Sequence, residues 1–147
     1  MNYSIRQMTT DDINDIIIGE EKIFGESLGY DMLYSELTLN PYAYYFVLEI
    51  DGKINGYIGT WIDPDHAEIV NFYIDEKYQG LGFGSMMLEF FIELCDSCNV
   101  PNISLEVREH NLKAQSLYKK YGFEFSHKRE KYYKDSEDAL VLIKKMR

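Results

Sequence analysis

The feature that most constrains this chain is a change of apolar period near its middle. From Tyr42 to Ile74 the pattern is that of strands. Tyr42 to Ile50 is rich in aromatic and branched residues, Asp51-Gly52 is a hairpin turn, and Ile54 to Trp61 returns. Asp63-Pro64-Asp65 then turns the chain into Ala67 to Ile74. Three such runs joined by tight turns predict an antiparallel meander. A Gly-rich stretch follows, Gln79 to Ser85, and from Met86 to Cys98 the period is helical, with Met87, Leu88, Phe91, Ile92, Leu94 and Cys95 recurring on one side. Val100-Pro101 ends that helix, and Ile103 to Val107 reads as strand. Strand, loop, helix, strand is a βαβ unit, and a βαβ unit attached to a meander predicts the α+β class.

The flanks fit this plan. Tyr3 to Met8 reads as a short strand, and Thr9-Thr10 before Asp11-Asp12 as a helix start with hydroxyl caps and acids in the first turn. Ile13, Ile16, Ile17, Ile23 and Phe24 form an apolar stripe that Gly25 stops. A shorter helix is predicted over Asp31 to Thr38, before Asn40-Pro41. Beyond the βαβ unit the pattern predicts a helix from Asn111 to Tyr121 ended by Gly122, a strand from Phe123 onward, and a last strand over Ala139 to Ile143. A chain of 147 residues with no repeat or linker is expected to form one domain, 1–147.

Charge narrows the partners. Residues 1–75 hold fourteen Asp/Glu against Arg6, Lys22 and Lys53, a net of −11, whereas residues 76–147 carry a net of +1. So acidic a chain is repelled by the nucleic-acid backbone, which argues against direct DNA or RNA binding. The asymmetry suggests an N-terminal half that faces something cationic; the plainer alternative is a solubilising surface. No apolar run approaches the ~18 residues of a membrane span. The polar start Met1 to Arg6 lacks the apolar core of a signal peptide, so a cytoplasmic protein without membrane contact is expected. Cys95-Asp96-Ser97-Cys98 has C-x-x-C spacing but no second ligand pair, and His66, His110 and His127 are scattered, so no metal site is expected.

Two stretches could carry chemistry. Gln79-Gly80-Leu81-Gly82-Phe83-Gly84-Ser85 lies between a predicted strand and a predicted helix. A helix N-terminus offers unpaired N–H groups and partial positive charge, and glycine admits a ligand where a Cβ would collide. Together these suit a pyrophosphate. The spacing is neither the dinucleotide fingerprint nor a nucleotide P-loop, which argues against NAD and ATP. In the second stretch Ser104, Glu106 and Arg108 share one face of a strand, while Asn111, Ala114, Gln115 and Tyr118 share one stripe of the next helix. A carboxylate and a phenol could thus converge on one cleft. Taken singly, the loop could be a plain turn, and Glu106 and Tyr118 an ion-pair partner and a core aromatic.

Read together, these stretches say more. Gln79-x-x-Gly82-x-Gly84 opening a helix resembles the acetyl-CoA signature of the Gcn5-related N-acetyltransferase (GNAT) superfamily, and Asn111-x-x-Ala114-x-x-x-Tyr118-x-x-x-Gly122-Phe123 resembles its next block. More narrowly, Leu105-Glu106-Val107-Arg108, that block, Arg129, Tyr132-Tyr133 and Glu137-Asp138-Ala139 resemble the bacterial ribosomal-protein alanine N-acetyltransferases. Two departures stand out. Phe24-Gly25-Glu26-Ser27 replaces a Pro-Trp pair usual after the first helix, and Gly80-Leu81 stands where the loop often has an Arg.

The resemblance implies a GNAT fold, with a mixed, mostly antiparallel central sheet flanked by helices and a βαβ cofactor unit. It implies acetyl transfer from acetyl-CoA, without a metal, to the N-terminal alanine of ribosomal protein bS18 or another amine-bearing basic peptide. Other protein N-termini, a polyamine, an aminoglycoside, or a non-catalytic acetyl-CoA sensor are the alternatives. Backbone groups of Phe72, Tyr73 and Ile74 would hold the acetyl carbonyl and pantetheine arm. Gly80, Leu81, Gly82, Phe83, Gly84 and Ser85, after Gln79, would bind the pyrophosphate, and Asn111 would bind the cofactor from the next helix. Glu106 would be general base and Tyr118 general acid.

Overall fold

The computed structural model describes residues 1–146. Its strands are β1 (Tyr3–Gln7), β2 (Ala43–Ile50), β3 (Lys53–Ile62), β4 (Ala67–Ile74), β5 (Asn102–Arg108), β6 (Glu124–Arg129) and β7 (Ala139–Lys145). Its α-helices are α1 (Ile13–Phe24), α2 (Tyr30–Leu39), α3 (Phe83–Ser97) and α4 (Leu112–Lys120). The strands form one sheet in the order β1-β2-β3-β4-β5-β7-β6. Pairing is antiparallel throughout except between β4 and β5, the two strands of the βαβ unit. This is the expected α+β class.

Each local signal has a physical counterpart. Asp51 and Gly52 both take positive φ (50° and 81°), the tight hairpin turn whose twist matches the flanking strands. Gly25 ends α1 in the left-handed region at φ 78°, and its N–H bonds the Glu21 carbonyl. The sheet is covered on both faces. Ile13 and Ile16 of α1 and Leu33 of α2 pack on Val47, Tyr57 and Tyr73. Phe83, Met87, Leu88, Phe91 and Cys95 of α3, with Tyr118 of α4, pack on Phe46, Leu48, Ile58 and Leu105.

One boundary differs from expectation. The helix predicted from Met86 begins at Phe83, because Gly82 (φ 90°) turns the chain and caps it. Phe83 is buried, with its ring edge-on to Tyr3 and Tyr78, and this packing draws the end of the glycine stretch into the first helical turn.

A second detail sets the site. The β4–β5 pairing covers Ala67–Ile69 against Ile103–Leu105. The β3–β4 register shifts at the same point, so that Gly59 faces Asn71 and Thr60 faces Ile69, leaving Val70 as a bulge. A bulge bends its strand and adds twist. Beyond it β4 leaves β5, which continues alongside β7 to Arg108.

The α1 entrance depends on charge as well as hydroxyl caps. Asp12 reaches back to the Thr9 N–H at 2.8 Å and is gripped by Arg6 at 2.8 and 2.9 Å. Its carboxyl is lowered, mainly by the Arg6 hydrogen bond. Asp12→Ala is expected to cost about 1–3 kcal/mol in urea unfolding at pH 7. A carboxyl lowered in the folded state stabilises fully above its unfolded value of ~3.9 and loses that contribution as pH falls through the folded value. The difference between wild type and variant should therefore close in acid. A constant difference from pH 7 to pH 2 would show that the cap, not the charge, carries the effect.

Candidate active site

Where β4 and β5 part, two cavities open and meet. The smaller, about 320 Å³, is lined by Gly80, Gly82, Gly84 and Ser85 on one side and by Phe72, Ile74, Asn111 and Tyr118 on the other. The larger, about 630 Å³, is lined by Glu68, Glu106, Arg129, Tyr132 and Tyr133 at one end, and by Glu26, Ser27, Leu28 and Met32 at the other. Phe24, Phe72, Asn111, Ala114 and Tyr118 line both. The two halves of the cleft therefore join along these five residues, Tyr118 among them.

The smaller cavity suits an elongated, phosphate-bearing ligand. The first helical bond of α3 runs from the Met86 N–H to the Gly82 carbonyl, so the N–H groups of Phe83, Gly84 and Ser85 precede the helical ladder. Gly80 and Gly82 both have positive φ (77° and 90°), with no atom within 4 Å of the place a Cβ would occupy. Open space beside unpaired N–H groups at a helix N-terminus is an anion cradle. Gln79 braces it: its Nε2 donates to the Ile74 carbonyl at 2.8 Å, and its Oε1 accepts from Lys113 at 3.4 Å. Lys113 also lines the cavity and supplies the cation that the loop lacks. It was missed in the sequence. The one local clue is a lysine in the first turn of α4, where the helix dipole favours acids.

Not every loop residue faces the cavity. Leu81 is exposed and Phe83 is turned into the core, so any contribution they make is through the backbone. The three β4 residues also divide. The Asp75 N–H bonds the Asn55 carbonyl, and with Tyr57 opposite Tyr73 the ladder alternation turns the backbone of Tyr73 toward β3. Phe72 and Ile74 face the gap instead: the Phe72 N–H meets Asn71 Oδ1 at 3.1 Å, and Ile74 accepts from Gln79. The backbone groups of Tyr73 thus pair with β3, while Tyr73 itself still borders the smaller cavity. Asn111 is the α4 N-cap, its Oδ1 accepting from the Ala114 N–H at 3.1 Å. That leaves the side-chain amide nitrogen for the cleft.

In the larger cavity Glu106 has Arg129 Nε at 3.5 Å, and the Tyr132 phenol is raised first by its interaction with Glu106. Glu106 and Arg129 lie on either side of β7, and the residue opposite Arg129 there is the small Ala139, which lets the guanidinium cross. Arg108 holds Asp135 and Glu137 at 2.9 Å and stacks 4.0 Å from the Tyr133 ring. These contacts tie down the segment carrying Tyr132 and Tyr133. The Glu137 carboxyl falls to about 2, first through the His110 N–H and then through Arg108. Tyr118 packs edge-on to Phe123, and burial raises its phenol well above the ordinary range. It stays neutral at physiological pH.

Of the fourteen acids in the N-terminal half, Asp12, Glu20 and Glu36 are buried and Glu26, Glu49 and Asp75 are ion-paired, while Asp11, Asp15, Glu21, Asp31, Asp51 and Asp65 stay exposed. Glu20 is fully buried and accepts from Tyr57 and Asn71 at 2.5 Å, Ser27 at 2.7 Å and the Leu28 N–H at 3.3 Å. Glu36 accepts from Tyr45 at 3.0 Å, from Asn40 and from Trp61. Glu20 thus pins the segment after α1, which carries no Pro-Trp pair, to β3 and β4. Of the fourteen acids, Glu26 and Glu68 line the larger cavity. The sequence carried no signal for this, since a buried and an exposed glutamate read alike.

The cysteines are apart in environment: Cys95 is buried, its thiol pushed up to about 12 by burial, and Cys98 is exposed at the helix end. His66 is held by Asn102 and by Ser104, and His110 by Glu137. Among the described residues no group of three or more His, Cys, Asp or Glu is placed to hold a metal ion, and no helix is long and apolar enough to cross a membrane.

Comparison with known proteins places this geometry. Residues 10–123 match the profile described as the acetyltransferase (GNAT) family. A Bacillus subtilis (strain 168) protein, provisionally named a [ribosomal protein bS18]-alanine N-acetyltransferase, is 40% identical over 140 residues, covering 95% of this chain and 93% of that protein. An N-alpha-acetyltransferase of Sulfolobus acidocaldarius is 29% identical over 155 residues, covering 97% and 92%. The crystal structure of the ribosomal-protein-S18-alanine N-acetyltransferase from Escherichia coli superposes with a TM-score of 0.90 at 26% identity, covering 99% of this chain and 94% of that one.

Proposed function

The chain belongs to the GNAT acetyltransferase family, and from that premise we propose that it acetylates the N-terminal alanine of ribosomal protein bS18, using acetyl-CoA. The observation that carries this reading is the junction at Tyr118. A phosphate-suited cavity and an acid-bearing cavity meet there, with Glu106 in the second. The N–H groups at the start of α3, with Lys113, bind the pyrophosphate. Phe72 and Ile74 hold the pantetheine arm along the open edge of β4, and the Asn111 amide nitrogen adds a contact. Acetyl-CoA supplies a thioester, from whose sulfur the acceptor nitrogen displaces the acetyl group. Glu106 takes the proton from that nitrogen, directly or through water. The α-amine has an ordinary pKa of ~7.7–8.0, so a modest base suffices at neutral pH. Tyr118 gives its phenolic proton to the departing sulfur.

The names of relatives support bS18 as acceptor. The likeness to an archaeal N-alpha-acetyltransferase, together with Ser27-Leu28 after α1, favours a second reading in which other protein N-termini are also substrates. Thiol release from acetyl-CoA with a bS18 N-terminal peptide and a panel of unrelated N-termini, with the product located by mass spectrometry, separates the two.

The same panel tests charge. The cleft lining carries three carboxylates against two guanidinium groups, so a peptide with Lys or Arg soon after its terminal alanine should show the higher kcat/KM. The advantage should shrink as the Debye length falls from ~10 Å at 0.1 M salt to ~3 Å at 1 M. Equal rates for basic and acidic peptides at every salt concentration would remove electrostatics from the account. A faster acidic peptide would remove the bS18 assignment.

A further inference from the structure

One carboxylate in the larger cavity has no place in the mechanism above. Among the described residues the Glu68 carboxylate makes no salt bridge and no hydrogen bond, although it is only partly exposed and lines the cleft. Its neighbours are accounted for. Arg108 is occupied by Asp135 and Glu137. Glu26, at the other end, has Lys134 at 3.8 Å and Arg108 at 4.0 Å. What remains is Glu68, Glu106 and Arg129: two carboxylates and one cation, a net of −1.

The sheet enforces this grouping. Glu68 pairs with Ser104 in the parallel register, and Glu106 stands two residues further on the same face of β5, about 6–7 Å along the strand. The groups whose charge acts on Glu68 are Glu106 from β5, His66 just before β4 and Arg129 from β6. Tyr132, from the segment after β6, also feels it. An unpaired, half-buried carboxylate is costly, and a cation brought to it would offset that cost.

We infer that Glu68 is a specificity-determining residue: it leaves the Glu106–Arg129 pair one positive charge short, and the α-ammonium group of the acceptor supplies that charge. Were Glu68 neutral, Glu106 and Arg129 would form a closed, neutral pair with nothing to attract the substrate. At neutral pH the α-amine arrives mostly protonated, given its pKa of ~7.7–8.0. Once it is docked, Glu106 takes the first proton and passes it to water, and the second leaves the nitrogen on attack to replace the one that Tyr118 gives to the sulfur. The amide product is neutral, so the attraction ends with the reaction and the product leaves. Burial, and next the Glu106 charge, raise the Glu68 carboxyl, so recruitment should fail in mild acid earlier than an ordinary glutamate would allow. The inference rests on the assignment of the larger cavity to the amine.

The test is steady-state kinetics with an alanine-terminated peptide for wild type, Glu68→Gln, Glu106→Gln and Glu68→Gln/Arg129→Gln. Glu68→Gln is expected to raise the acceptor KM about tenfold, with the acetyl-CoA KM unchanged. It should also move the acid limb of kcat/KM to lower pH. It should not lower Tm at pH 7, because it removes a charge whose burial is unfavourable there. The double variant restores the net of −1 and should bring the acceptor KM back to within about threefold of wild type, which loss of packing alone could not do. An unchanged acceptor KM in Glu68→Gln beside an inactive Glu106→Gln overturns the inference and leaves the cavity assignment standing. A raised KM that the double variant does not recover also overturns it. Full activity in Glu106→Gln overturns the assignment itself.

Discussion

Glu106→Gln is expected to lower kcat by about 10²–10⁴-fold, the usual loss on removing a general base, while CoA affinity stays near wild type. The amide keeps the shape of the side chain but cannot take a proton from the acceptor nitrogen. The fold should survive, because the Glu106–Arg129 contact is partly solvated and such pairs contribute only ~0–1 kcal/mol. Tyr118→Phe keeps the ring against Phe123 and removes the proton donor, so it should slow turnover without altering the fold. Titration with CoA by calorimetry, alongside initial rates, separates binding from chemistry. Near wild-type turnover in both variants would return Glu106 to an ion-pair role and Tyr118 to a packing role.

Gly82→Asp should nearly abolish acetyl-CoA binding. At φ 90° the position is strained for any residue with a Cβ, at a cost of roughly 1–2 kcal/mol. The larger effect is electrostatic. A carboxylate about 5 Å from a phosphate charge, at an effective dielectric constant of about 20, is repelled by ~3 kcal/mol, or about two decades in affinity. The strain falls on the residue before the helix, and Met87, Leu88 and Phe91 hold α3 in the core, so α3 should still form. Gly84 offers a contrast. It has no left-handed backbone, and an added Cβ would meet Leu117 at 3.6 Å and Ile74 at 3.9 Å, ordinary contact distances. Gly84→Ala should therefore bind acetyl-CoA nearly as wild type does. If Gly82→Asp bound CoA with unchanged affinity in a folded protein, the cradle at the start of α3 would not be the pyrophosphate site.

What can be read from this chain depends on the range of the interaction involved. The Asp51-Gly52 turn, the Gly25 stop, the strand alternation of Leu105 and Val107 and the glycine cradle each rest on residues a few positions apart, and each is legible in the sequence. The ordered motifs from Gln79 to Phe123 extend that legibility to the family, because spacing within a βαβ unit is local too. The rest follows from which strands become neighbours. Placing β7 between β5 and β6 brings Arg129 to Glu106, and the bulge at Val70 ends the β4–β5 ladder and leaves Phe72 and Ile74 facing the gap. Burial of the Phe83 ring moves the start of α3, and burial of Glu20 and Glu36 takes them out of the charge that a substrate meets. By itself the sequence determined the secondary elements and the residue types of the site. Tertiary structure alone decided which acids face the cleft, because burial and pairing act through space and leave no trace in the order of residues.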